Sequence, residues 1–281
     1  MKLSRRHFIE TAAVPALAGL GIVASPFAAA QTAESNKPKF RLGAASYTFR
    51  NFDRAKTIAM SQRAGFERIC FKDMHLKMTA TNAECAAATE ECTKAGLSLY
   101  ACGVVSMRNA AEVDNAFRYA QAAGMETIVA VPQPAVLPQV EDKVKETGIY
   151  IAIHNHGPGD NLYPTPEAIM EKIDSLDKRI GICIDVGHTV RIGADVVKSI
   201  RDYKDRIHDV HFKDETAATP QGETCICGRG VLDLYGYLMA LIEIGYNRMV
   251  SFEYEADPDD PLPGLMESAG YVRGMLKAIS R

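Results

Sequence analysis

The chain has 281 residues, of which 47% are hydrophobic and 24% charged, with no Trp and a formal net charge of −3. About 250 residues beyond a leader are enough to bury one large core. Acids and bases are interspersed and no basic block occurs, so the sequence lacks the electrostatic footprint of a nucleic-acid binder.

At the N-terminus, Ser4-Arg5-Arg6-His7-Phe8-Ile9 precedes an apolar stretch from Ala12 to Ala24. A small-residue site follows at Ala28-Ala29-Ala30. Residues 1–30 therefore read as a secretory signal, and the paired arginines resemble the twin-arginine type. The expected location is periplasmic or secreted. The apolar run is too short and too rich in Gly and Ala to be a stable membrane anchor. Residues 31–39 are polar and read as a linker.

Residues 40–281 alternate strand-like and helix-like patterns. The expected strands are Phe40–Ser46, Glu67–Lys72, Ser98–Gly103, Thr127–Val131, Ile149–His154, Ile180–Asp185, Ile207–Lys213 and Met249–Glu253. Helical patterns cover Asp53–Ala64, Asn82–Ala95, Ala110–Ala123, Pro166–Leu176, Ala194–Tyr203 and Leu234–Ile244. Several helices end in a small or apolar residue followed by Gly, at Gly65, Gly96, Gly124 and Gly245, the usual left-handed stop. Strands alternating with helices imply parallel βαβ units. Eight units in this length predict one domain, a closed (β/α)₈ TIM barrel.

The seven cysteines are an odd number in a long chain, so they read as mostly free and structural. Cys225-Ile226-Cys227 lacks a second pair at zinc spacing. Its local oxidation after export stays open.

Barrel strands alternate faces with period two. Ile149, Ile151 and Ile153 share one face, and Ala152 and His154 the other. Ile180, Ile182 and Ile184 point out, leaving Cys183 and Asp185 inside. Val210 and Phe212 point out, with Asp209, His211 and Lys213 inside. Val250 and Phe252 point out, with Ser251 and Glu253 inside. Four neighbouring strand ends thus aim His154, Asp185, His211 and Glu253 inward. Taken singly, each is an ordinary cap or ion-pair residue. Burying two imidazoles and two carboxylates together without a cation would cost heavily. The mixed N/O set suits one divalent metal ion, Mn²⁺ first, with Zn²⁺, Co²⁺ or Fe²⁺ as the other candidates.

These runs also resemble a family. Asp185-Val186-Gly187-His188 is similar to the D-x-x-H strand end of the xylose isomerase-like TIM barrels. His211-Phe212-Lys213-Asp214 resembles their H-x-K-D segment, Gly228–Asp233 their G-x-G-x-x-D loop, and Glu253-Tyr254-Glu255 their final E-x-E strand. The resemblance covers essentially residues 40–281. It implies Asp185, His211 and Glu253 as metal ligands and a small-molecule sugar as substrate. It also implies a sugar isomerase or epimerase that abstracts a proton alpha to a carbonyl.

Many members carry Glu-Asn-His after the fifth strand, but here the run is His154-Asn155-His156. Two-base epimerisation through paired metal-bound glutamates therefore loses one base. A lyase or dehydratase acting by β-elimination on a keto-sugar or 3-keto-glycoside is the alternative, and a non-catalytic sugar-binding barrel the third. The DNA-repair branch of the superfamily is disfavoured by the charge and by Gly103-Val104-Val105-Ser106, which offers no histidine. Glu253, His156 and Lys213 are the candidate catalytic residues. Lys72, His75, His188 and Arg229 are the candidate substrate-binding residues, with Tyr47 and Phe49 as a candidate apolar wall. The sequence specifies no oligomeric state.

Overall fold

The computed structural model describes residues 37–281. The expected signal peptide and residues 31–36 of the expected linker lie outside the described residues. Eight parallel strands close into a barrel. They are β1 (Arg41–Ala45), β2 (Arg68–Phe71), β3 (Ser98–Met107), β4 (Thr127–Pro132), β5 (Tyr150–His154), β6 (Ile180–Asp185), β7 (Ile207–Phe212) and β10 (Met249–Phe252). A two-stranded hairpin, β8 (Asp214–Glu215) with β9 (Thr224–Cys225), follows β7.

The helices are α1 (Arg54–Arg63), α2 (Asn82–Lys94), α3 (Ala110–Ala122), α4 (Leu137–Thr147), α5 (Pro166–Ile173), α6 (Val186–Arg191), α7 (Val196–Asp202), α8 (Leu234–Glu243) and α9 (Leu262–Ile279). Side chains start them: Asp53, Asn109, Thr165, Asp185, Asp195 and Asp233 each accept a hydrogen bond from a first-turn backbone N–H. Thr81 and Glu84 form a reciprocal capping box on α2. Gly65, Gly96, Gly124 and Gly245 all adopt left-handed φ, as the expected helix stops require.

Most strand limits fall within one residue of expectation, and β3 departs furthest. β3 runs past Gly103 to Met107, because Gly103 is a packing residue rather than a stop. A Cβ there would lie 2.4 Å from Val129 Cβ. β10 ends at Phe252, so Glu253 stands just beyond the strand.

The expected parity of the strands holds. Ile151, Ile153, Ile182, Ile184, Val210, Phe212 and Val250 join the large apolar layer between strands and helices. Cys70, Tyr100, Ala101, Val129, Ala152, Cys183 and Met249 fill the barrel interior as a separate cluster. All seven cysteines are free. Among the described residues no helix is long and apolar enough to cross a membrane.

The barrel interior also carries a polar network. The Tyr100 hydroxyl donates to Asp209 Oδ2 at 2.7 Å and meets Ser251 Oγ at 2.6 Å. Asp209 Oδ1 accepts from the Val210 N–H. Burial pushes the Asp209 carboxyl up to about 6. Replacing Tyr100 by Phe leaves Asp209 and Ser251, both fully buried, short of a partner. The expected cost is about 1–3 kcal/mol, read from urea denaturation of Tyr100→Phe. An unchanged midpoint would show that the network contributes nothing.

Candidate metal centre and active site

Register brings the four candidate ligands to one level. His154 pairs with Cys183 across β5 and β6, and Asp185 pairs with His211 across β6 and β7. His211 in turn pairs with Ser251 of β10, two residues before Glu253. Ligand-capable atoms of His154, Asp185, His211 and Glu253 all lie within 4.8 Å of one another. His154 Nε2 lies 3.1 Å from His211 Nδ1 and 3.5 Å from Asp185 Oδ2. His211 Nδ1 lies 3.3 Å from Glu253 Oε2.

Lys213 fills the adjacent space. Its Nζ lies 3.0 Å from Asp185 Oδ2 and 2.9 Å from Glu253 Oε2, and it also pairs with Glu255. The Lys213 side chain is 1% exposed and that of Asp185 0%. Burial works against the ammonium, but the three carboxylates hold its pKa well above the usual lysine value. Burial also opposes charge on Asp185, yet His188 and Lys213 hold that carboxyl well below the usual range. Glu253 is lowered likewise by Lys213 and His211. Burial drives His154 down to about 3, leaving a neutral imidazole with a free lone pair. Burial works against charge on His211, but Glu253, Asp209 and Asp185 together move it upward.

This donor set fits a divalent cation. Three carboxylates face one ammonium, and the two negative charges left over match one divalent ion. Asp185 Oδ2, although in ion-pair range of Lys213, makes no hydrogen bond; nor does buried His154 Nδ1 or His211 Nε2. Two imidazoles with two carboxylates are a common N/O coordination set for Mn²⁺, Zn²⁺, Fe²⁺ or Co²⁺.

Neighbouring residues hold the ligands in place. Asp185 uses Oδ1 to cap α6 through the His188 N–H at 2.8 Å, which leaves Oδ2 for the cup. Asn155 accepts from the Asp185 N–H and donates to Thr189, whose hydroxyl donates to the Asp185 carbonyl. Gly187 is needed because a Cβ there would meet Glu215 Oε1 at 2.4 Å and Lys213 Cδ at 2.8 Å. Burial pushes that Glu215 carboxyl up to about 7. Asp214 accepts backbone N–H bonds from Gly228, Gly230 and Leu232, so it shapes the loop after the hairpin.

A cavity of about 260 Å³ opens above the cup. Lys72, His154, His156, His188, Glu253 and Glu255 line it, with Tyr47 and Val104. The His156 ring sits 4.5 Å from that of His154, centroid to centroid, and His188 5.8 Å. Arg191 Nη2 donates to His188 Nδ1. An arginine can only donate, so His188 carries its own proton on Nε2. His156 Nδ1 lies 3.3 Å from Asp160 Oδ2. A carboxylate there favours the proton on Nδ1 and leaves Nε2 basic. Burial lowers the pKa of both histidines.

Three of the expected binding and wall residues are not brought to this cavity. His75 is buried, with Nδ1 2.8 Å from Ser46 Oγ and Nε2 3.2 Å from the Phe49 carbonyl. Ser46 Oγ also accepts from the Lys72 N–H, so His75 braces Lys72 from behind. Phe49, of the expected wall, is fully buried core. Arg229 forms an exposed pair with Glu267 on α9. Asp160 and Arg191 act here without having been named in the sequence, and Asn155 and Asp214 had been named only as members of motifs. Asn155 and Asp214, polar residues just after the ends of β5 and β7, carried the available signal.

A model of the xylose isomerase-like TIM barrel family matches residues 58–275. An inosose dehydratase of Lacticaseibacillus casei is 28% identical over 138 residues, 43% of this chain and 46% of that one. The chain thus matches about half the length of that curated relative. The structure of an IOLI protein with a bound zinc atom aligns with TM-score 0.70 and 18% identity, over 85% of this chain and 98% of that one. A 3-keto-D-glucoside 4-epimerase from E. coli aligns with TM-score 0.68 and 14% identity, over 84% and 100%. With a closed barrel of eight parallel strands and a match over most of its length, this chain belongs to the xylose isomerase-like TIM barrel family.

Proposed function

We propose that this chain is a divalent-metal-dependent enzyme that takes the proton alpha to the keto group of a sugar and expels the β-substituent. The observation that carries this reading is the asymmetry of the cavity over the cup. One wall offers the carboxylates Glu253 and Glu255, and the β5–β6 side offers only histidines. An ion held by His154, Asp185, His211 and Glu253 would polarise the keto oxygen and stabilise charge developing there.

The chain's own groups supply the rest. His156, with Asp160 behind its Nδ1, accepts the alpha proton on Nε2. His188 donates its Nε2–H to a substrate oxygen. The C–H bonding pair becomes the new C=C bond, and the β-substituent leaves with its own bonding pair. Lys72, at the cavity wall, supplies the proton that the departing oxygen needs. Lys213 stays in its ion-pair cluster and fixes Asp185 and Glu253. The similarity to an inosose dehydratase agrees with an elimination. Isomerisation or epimerisation is the second reading. His156 and Glu253 both border the cavity, and the 3-keto-D-glucoside 4-epimerase shares the fold. We further propose that the protein acts in the periplasm or outside the cell. The motif Ser4-Arg5-Arg6 and the apolar run behind it support this.

Three outcomes are expected. Elemental analysis of the purified protein should find about one Mn, Zn, Fe or Co per chain, lost in His154→Ala and in Glu253→Ala. A wild type that takes up no divalent ion would sink the metal-dependent reading. Metal-loaded protein should turn methyl 3-keto-β-glucoside into an enone that absorbs in the ultraviolet, and His156→Ala should slow this by about 10²–10⁴-fold. Deuterium incorporation from solvent without enone would favour epimerisation instead, and neither signal would defeat both readings. Changing Arg5 and Arg6 together to Lys should leave the precursor in the cytoplasm, as cell fractionation would show. Unimpaired export would rule out the twin-arginine route.

A further inference from the structure

A second cavity adjoins the first. It holds about 370 Å³ and lies between the ends of β2 and β3 and the N-terminal turns of α3. The two cavities share Lys72 and Val104 as lining residues. Between them the Lys72 ammonium donates to the Val104 carbonyl at 2.9 Å. The Lys72 backbone is fixed at the same point by its bond to Ser46, itself backed by His75. The boundary between the cavities is thus the Lys72 side chain, held on a fixed backbone, together with Val104.

Size argues that the two work as one site. The cavity over the metal cup, at about 260 Å³, falls short of the roughly 300–1,000 Å³ usual for small-molecule pockets. With its neighbour it falls well inside that range. The lining of the second cavity is also of the right kind. Phe71, Met78 and Val105 give it apolar walls, and Asp73, Ser106 and Arg108 give it hydrogen-bonding groups. Apolar faces with polar edges are what a pyranose ring presents in return.

We infer that the substrate is a two-ring glycoside rather than a free sugar. Its keto-sugar ring sits over His154, Asp185, His211 and Glu253, and its second ring lies in the cavity beside Met78, Ser106 and Arg108. The linking oxygen passes Lys72. This rests on the keto-sugar reading given above and adds the size of the substrate and the place of its leaving half.

The test separates the two ideas. Calorimetry on metal-loaded His156→Ala protein, which turns over slowly, compares 3-keto-cellobiose with methyl 3-keto-β-glucoside. The expected result is an affinity at least about tenfold higher for the two-ring compound, the worth of burying one more ring. Ser106 is exposed on β3, so Ser106→Trp fills the second cavity without disturbing the core. In the His156→Ala background it should abolish that preference. Equal affinities, a preference that survives Ser106→Trp, or no binding of either compound would overturn the inference. Enone formation by the wild type from the methyl compound, without any two-ring preference, would keep the reaction and remove the second subsite. A two-ring preference without enone would do the reverse.

Discussion

Asp185, Glu253 and Glu255 surround the Lys213 ammonium at a depth where the lysine and the aspartate have almost no contact with water. Buried ion pairs rarely stabilise a fold by themselves, because desolvation offsets the Coulomb attraction. Here the balance is also incomplete, with more negative charge than the single ammonium can answer. Such a cluster persists when the surrounding barrel supplies the energy and a ligand supplies the missing charge. The shell around it is built accordingly. Asn155, Thr189 and the cap of α6 fix Asp185 from behind, and Gly187 leaves the space that Lys213 and Glu215 occupy.

The barrel and its four converging residues were legible because both follow from period-two alternation. Parallel strands buried on both faces must put every second residue inside, so the position of His154 on β5 or His211 on β7 follows from counting. Helices whose N-terminal residues look like breakers were harder to read. In α4, which is not among the helical patterns read from the sequence, Pro138 occupies the first turn, where a missing N–H costs nothing. In α9, Pro263 starts the helix in the same way. Gly264, which reads as a weak helix former, is required because a Cβ would meet the Tyr254 hydroxyl at 2.3 Å.

Residues beyond the strand ends follow no period. His75 and His188 both fall just after a strand, yet one braces Ser46 and the other borders the cavity. The difference lies in the loops. The segment after β2 packs against residues 46–49, which follow β1, so His75 meets the Phe49 carbonyl instead of the mouth. Arg229 is carried outward because Asp214 gathers the backbone N–H groups on either side of it. Asp160 and Arg191 act on histidines four and three residues away, and their sequence positions alone read as ordinary surface charge.

The histidine at position 154 links the electrostatics to the chemistry. A glutamate there, as in the pattern this chain otherwise resembles, would add a third excess negative charge to the cup. The neutral imidazole keeps the excess at the value one divalent ion can balance. In the proposed reaction it would also leave more of a bound ion's positive charge available to a substrate oxygen. The same exchange takes a carboxylate base away from the β5 wall. In the proposed reaction, a proton taken on that side would go to a group outside the ligand set. His156 borders the cavity 4.5 Å from the His154 ring and is backed by Asp160, which is why the proposal gives it that proton.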